Sequence, residues 1–259
     1  MPALNRHLVD FRGKLPAQSG GNMDIGNAFT YFTEDPQWTT KMIIGGLIVL
    51  LSPFLLFLPM LLLLGYEVAI TRNVLRGAER PLPDWEDWGQ FLRDGLNVAV
   101  AKLVYSAPLW LLFCVGMGVS VLPALSANNQ DVAAALGGIA GLTWILLSCV
   151  LILLGLAYAL FSPVINLQYV RTGELAACFR FAEVWALLRE NLNDVFMAGV
   201  GVILANMISS LVISISVVTI CGPFILSLAG PVWIRIVSGQ LVGQIAYKLN
   251  GKAAPMPVM

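Results

Sequence analysis

Residues 195–234 read VFMAGVGVILANMISSLVISISVVTICGPFILSLAGPVWI, 40 positions without an acidic or basic residue between Asp194 and Arg235. A straight helix of that length would measure about 60 Å, twice the roughly 30 Å hydrocarbon core of a bilayer. The stretch therefore predicts two apolar helices folded into a hairpin. Cys221, Gly222 and Pro223 sit where its turn or second helix begins.

Three further charge-free intervals have the same character: residues 42–66 (25 positions), 103–130 (28) and 132–170 (39). Across the 259 residues 58% are hydrophobic and 12% charged, about half the charge that a water-facing surface carries. The chain reads as an all-α integral membrane protein, with the lipid bilayer as its first partner. Its 15 basic and 15 acidic residues cancel, so there is no basic excess to displace counterions, and nucleic acid is excluded as a partner. The single histidine, His7, cannot build a metal site or a Ser/His/Asp triad, and neither HExxH nor GxSxG is present. No enzyme, cofactor or metal is expected. Cys114, Cys149, Cys178 and Cys221 have no CxxC spacing and read as small hydrophobes.

The 39-position interval contains Pro163 and reads as one crossing with a buried extension. Residues 42–66 fit one crossing by length, but Pro53 and Pro59 interrupt them. Charge placement separates the choices: a hairpin over residues 42–70 keeps all 15 Lys and Arg on one face or its edge, whereas a single crossing divides them 4 and 11. The hairpin is favoured, its short arms either crossing fully or re-entering. About six membrane helices follow, in three hairpins, near residues 39–57, 59–77, 96–122, 134–160, 195–215 and 219–246. Both termini then face the cytoplasm at the cell membrane, and the polar loop Ser126–Asp131 faces outside.

Each hairpin is expected to follow an amphipathic cytoplasmic helix. Asp84 is placed to cap one in which Trp85, Trp88, Leu92 and Leu96 share a face. Phe181, Trp185, Leu188 and Leu192 repeat the design, and Ile25, Phe29, Phe32 and Trp38 form a weaker copy. Leu92–Asn97 and Leu188–Asn193 are identical at four of six positions. The single membrane domain, 23–248, thus divides into modules of about 23–80, 81–173 and 174–248. A polar extension, 1–22, precedes it without an apolar signal-peptide core, so that translation from Met23 is an expectation; a tail, 249–259, follows.

Gly65-Tyr66, Arg72-Asn73-Val74-Leu75-Arg76-Gly77, Leu82-Pro83-Asp84-Trp85-Glu86-Asp87-Trp88-Gly89 and Asp94-Gly95 resemble an uncharacterised polytopic membrane family, domain of unknown function 4013. The likeness runs from about Met23 to Tyr247, with a second block at Phe181–Trp185. A more distant similarity is to the membrane domains attached to some glycerophosphodiesterases. The resemblance implies a membrane bundle and brings no activity with it.

Glu67, Lys102 and Arg235 are the ionisable residues set within apolar segments, the usual mark of an intramembrane polar cluster. Glu67 is the most demanding because its side chain is too short to reach an interface, so Lys102, Arg72 or Arg235 is expected beside it, Lys102 being the best candidate. Arg72 and Arg76, one turn apart before a glycine stop at Gly77, read as headgroup contacts at a helix C-terminus, and Trp85, Trp88 and Trp185 as interfacial anchors. Two functions fit. One is a non-catalytic scaffold or accessory subunit for other membrane proteins or a larger membrane complex, which predicts a filled interior. The other is a carrier for a lipid or small solute, which predicts a polar passage reaching Glu67. The scaffold is preferred because few coupling residues are recognisable. The topology is tested by single-cysteine labelling in a background with the native cysteines replaced. Asn128→Cys should accept an impermeant thiol reagent in intact cells and Ala253→Cys should refuse it, while external labelling of Arg80→Cys would establish a single crossing by residues 42–66.

Overall fold

A computed structural model describes residues 23–252 except 57, 79–81, 127 and 219–221. The 1–22 extension with His7, Cys221, Arg80 and positions 253–259 of the expected tail lie outside the described residues. Asp24 opens the fold by accepting the Asn27 N–H at 2.9 Å, which caps α1 (Ile25–Thr30). A 3-10 turn (Tyr31–Glu34) leads to α2 (Trp38–Leu51), α3 (Pro59–Arg76), α4 (Trp88–Leu125) and α5 (Gln130–Thr172). The short α6 (Leu175–Cys178) and α7 (Phe181–Glu190) precede α8 (Leu192–Ile215), a 3-10 turn (Ser216–Val218) and α9 (Gly222–Lys252). Among the described residues there is no strand.

Among the described residues four helices are long and apolar enough to cross a membrane: Trp88–Leu125, Gln130–Thr172, Leu192–Val218 and Gly222–Asn250. The two arms read from residues 42–70 are shorter, 14 residues in α2 and 18 in α3, or about 21 and 27 Å. Pro59 begins α3 where its missing N–H is not needed, and Gly77 ends it with φ 63°, donating to the Asn73 and Val74 carbonyls. That stop is the one the sequence predicts.

Although short, α3 is the axis of the bundle. It packs on α2, α4, α5 and α9, and buries Leu63, Tyr66, Glu67, Val68, Ile70, Thr71 and Val74. Its crossing with α4 is backbone on backbone. A Cβ on Gly65 would lie 1.9 Å from the Phe91 carbonyl oxygen, and one on Gly95 1.8 Å from that of Leu61. No side chain fits between them.

The segment after Asp84 does not form a helix of its own. Helix begins at Trp88 and runs unbroken through Leu96 to Leu125, while Asp84 pairs with Lys41 at 2.8 Å instead of capping. Its counterpart at Phe181–Glu190 is separate, because the chain leaves helical geometry at Asn191 (φ −121°, ψ 27°), whose side chain donates to the Leu187 carbonyl at 3.1 Å. The aligned residues Gly95 and Asn191 account for the difference. Glycine lets α4 continue against α3, and asparagine, with its own backbone bond, favours a break.

Two zones result along the helices. Beyond Lys102, α4 buries only Gly116, and α5 buries only Ala140 before Val164. Leu111 and Leu146 are typical of the rest, facing outward from the hairpin. Such a surface suits an apolar medium. The other halves of these helices, with α3, α7, α8 and α9, enclose the core. Gly65→Ala and Gly95→Ala should each cost at least about 2 kcal/mol, since backbone cannot move aside as a side chain can. Gly118→Ala, with nothing within 4 Å of the new Cβ, should stay within about 1 kcal/mol of wild type, all read from thermal unfolding in detergent.

Candidate functional site

Glu67 lies at the middle of α3 with 1% of its side chain exposed. A carboxylate so placed loses its hydration and must be repaid by partners inside the protein. Three helices supply them. From α9, Arg235 donates through Nη1 to Oε2 at 3.0 Å and Ser238 through Oγ to Oε1 at 2.6 Å. From α5, Asn166 donates through Nδ2 to Oε1 at 2.7 Å, and from α4 the Lys102 Nζ stands 4.0 Å from Oε2. The structure thus brings together Glu67, Lys102 and Arg235, and it ranks the cations in the reverse of the expected order. Arg235 is the hydrogen-bonded partner and Lys102 the more distant one.

One turn and a half further along α3, a second polar layer joins α3, α4 and α5. Arg72 donates to Asp94 Oδ2, Tyr169 donates its hydroxyl to Asp94 Oδ1 at 2.7 Å, and Asn97 donates to the Tyr169 hydroxyl at 3.0 Å. The Arg72 guanidinium also lies 5.9 Å from the Tyr169 ring centroid. Arg72, expected at the headgroups, is thereby occupied within the bundle, whereas Arg76 is exposed.

A third layer surrounds Lys41. Its buried ammonium reaches Asp35 and Asp84 at 2.8 Å and donates to the Leu82 carbonyl at 2.7 Å. Burial alone would raise the Asp35 carboxyl, but the Lys41 ammonium and the Gln37 N–H outweigh it and hold that acid below its ordinary range. Trp85 is turned inward here. Its ring stacks on Tyr66 at 4.2 Å and its Nε1 donates to the Lys41 carbonyl at 3.2 Å. Trp88 and Trp185 are exposed, Trp185 lying against Phe161.

Sequence reasoning missed Asp94, Tyr169, Ser238 and the inward role of Lys41. A signal for Asp94 was available: Asp94, Val98 and Lys102 recur at i, i+4 and i+8, so the acid lies on the same buried stripe as the lysine. Ser238 follows Arg235 by one turn in the same way.

An apolar helical bundle whose central helix carries its buried charge is the class that fold and site define. The chain belongs to the family described as Protein of unknown function (DUF4013), which it matches over residues 47–219. That match includes Glu67, Lys102 and Asn166 and stops before Arg235 and Ser238. No curated protein and no solved structure matches the chain.

The cluster holds two cations and one carboxylate, which orders the cost of removing each. Glu67→Gln strands both cations and should cost most, about 3–5 kcal/mol. Arg235→Gln, which breaks the close hydrogen bond, should cost about 1–3 kcal/mol, and Lys102→Met, which leaves Glu67 balanced by Arg235, less than about 1 kcal/mol. The double variant Glu67→Gln, Lys102→Met should be more stable than Glu67→Gln alone. Thermal unfolding of the four purified variants checks the order.

Proposed function

We propose that this chain is a non-catalytic multi-pass membrane scaffold or accessory subunit, set in the cytoplasmic membrane with both termini cytoplasmic. The observation that supports this reading is the closure of Glu67. Its two oxygens take three hydrogen bonds from two neighbouring helices, with Lys102 of a third beside them, so its charge is spent on helix assembly. A coupling carboxylate in a carrier has to exchange partners with solvent or substrate during each cycle, and such an exchange here would part α3 from both α5 and α9.

Helix length supports the orientation. From Lys102 to Leu125 α4 rises about 35 Å, slightly more than a hydrocarbon core. With the loop near Ser126 at the outer headgroups, the Glu67 layer falls at the cytoplasmic boundary. From that layer α3 reaches back only about 12 Å to Pro59, and the exposed Phe54, Leu55 and Leu56 at its turn suit the bilayer interior better than a polar surface. The first hairpin is then re-entrant.

The test is blue-native electrophoresis and cross-linking with mass spectrometry in the natural membrane, for wild type and Glu67→Gln. A stoichiometric membrane partner whose recovery falls together with the melting temperature of the variant is the expected result. Glu67→Gln protein of wild-type melting temperature that has lost a pH-dependent solute or lipid flux would overturn the scaffold in favour of the carrier.

A further inference from the structure

The protein treats its buried lysines differently. Lys41 is met by two carboxylates and a carbonyl, all within 2.8 Å. Lys102, with 11% of its side chain exposed, makes no hydrogen bond among the described residues and has one carboxylate 4.0 Å away. That carboxylate is already engaged by Arg235. With Lys102 protonated, Glu67, Lys102 and Arg235 sum to one positive charge, carried by a nearly buried ammonium and a partly exposed guanidinium.

The unfilled valences agree with the charge count. Arg235 uses Nη1 on Glu67, while its Nε and Nη2 make no hydrogen bond among the described residues, and 38% of its side chain is exposed. Beside it the buried Asn166 Oδ1 is an acceptor with no partner. The Asn166 Oδ1 is thus the one fully buried side-chain polar atom left without a partner among the described residues, while the Lys102 ammonium and the rest of the Arg235 fork are open to an added acceptor. A singly charged oxyanion carrying a hydroxyl or bound water meets all of these demands and brings the local charge to zero.

We propose that Lys102 and Arg235 form a binding site for one phosphate group, entered from the exposed side of Arg235. Arginine pairs with two phosphate oxygens through its planar fork, and lysine adds a point charge behind. A phosphodiester carries the single negative charge that the cluster lacks. The charge argument holds for a singly charged phosphate, whether a phosphodiester or dihydrogen phosphate; that the group comes from a lipid headgroup rests on the orientation proposed above, which puts Lys102 at the bilayer boundary.

The test uses full-length protein, delipidated in detergent, with unfolding followed as phosphatidylglycerol, diacylglycerol or sodium phosphate is added at constant ionic strength. Phosphatidylglycerol should raise the melting temperature by several degrees and diacylglycerol should not. Lys102→Met and Arg235→Gln should each lose most of that rise, and Arg189→Gln, at an exposed arginine of α7, should keep it. If sodium phosphate at about the same concentration reproduces the rise, the site takes free phosphate; if only the lipid does, the headgroup is the ligand. Native mass spectrometry counts the lipids retained, one fewer being expected in Lys102→Met. A rise that is equal in wild type and both variants, one given equally by diacylglycerol, or none with any of the three, would overturn the proposal. Failure of the scaffold reading would leave these results unchanged, since none depends on a protein partner.

Discussion

A carboxylate at the centre of an apolar helix is the constraint from which the arrangement follows. Glu67 cannot reach water, and its two oxygens present about four lone-pair directions that need donors. Those donors have to come from helices with apolar sides, which offer few polar residues each. Asn166 on α5, Arg235 and Ser238 on α9 and Lys102 on α4 all converge on it. Because each of these side chains projects from one face, their convergence sets the rotation of three helices about α3. Apolar packing alone would leave that rotation free, since between helices of Leu, Val and Ile many rotations bury similar area. The polar layer selects one.

Close approach then follows from side-chain reach. For the short Asp94 and Ser238 to meet partners on neighbouring helices, the backbones must run near one another, and Gly65 and Gly95 permit this between α3 and α4. Thr71 shows the same economy against α9, its one hydroxyl hydrogen shared between the Glu67 carbonyl of its own helix at 2.9 Å and the Gly239 carbonyl at 3.1 Å. The glycines and the charges are parts of one device. Helices that touch at backbone distance can be joined by short polar side chains, and short side chains hold fewer rotamers to be frozen out on assembly.

Sequence reading went furthest where burial contradicts residue type. Glu67, Lys102 and Arg235 stand out because charge interrupts long apolar runs, and the all-α class with its long membrane-type helices comes from the same contrast. Pairwise geometry was less legible. Nothing in the spacing says that Arg235, 168 positions away, comes closer to Glu67 than Lys102 does, because rotation about each helix axis is an outcome of packing. Trp85 misled for a related reason. Interfacial tryptophan and core tryptophan have the same local pattern, and only the presence of Tyr66 across the crossing distinguishes them. The fate of the aligned segments at Leu92 and Leu188 turned on one position, Gly95 against Asn191, where tertiary contact with α3 decided between a continuous helix and a break.

The three polar layers also differ in how completely they close. In the layers of Arg72 with Asp94 and of Lys41 with Asp35 and Asp84 each cation meets at least one carboxylate at hydrogen-bond distance. Such layers contribute mainly orientation, since an ion pair taken from water returns little net free energy. The Glu67 layer is closed on the side of the carboxylate and open on the side of the cations. A protein that needed only to join helices would gain by replacing Lys102 with an apolar residue, since Arg235, Ser238 and Asn166 already satisfy the acid. Retaining an ammonium beside a carboxylate that already has three donors carries a desolvation cost that its 4.0 Å approach to Glu67 offsets only in part. An anion supplied from outside the chain, as proposed above, would close that balance.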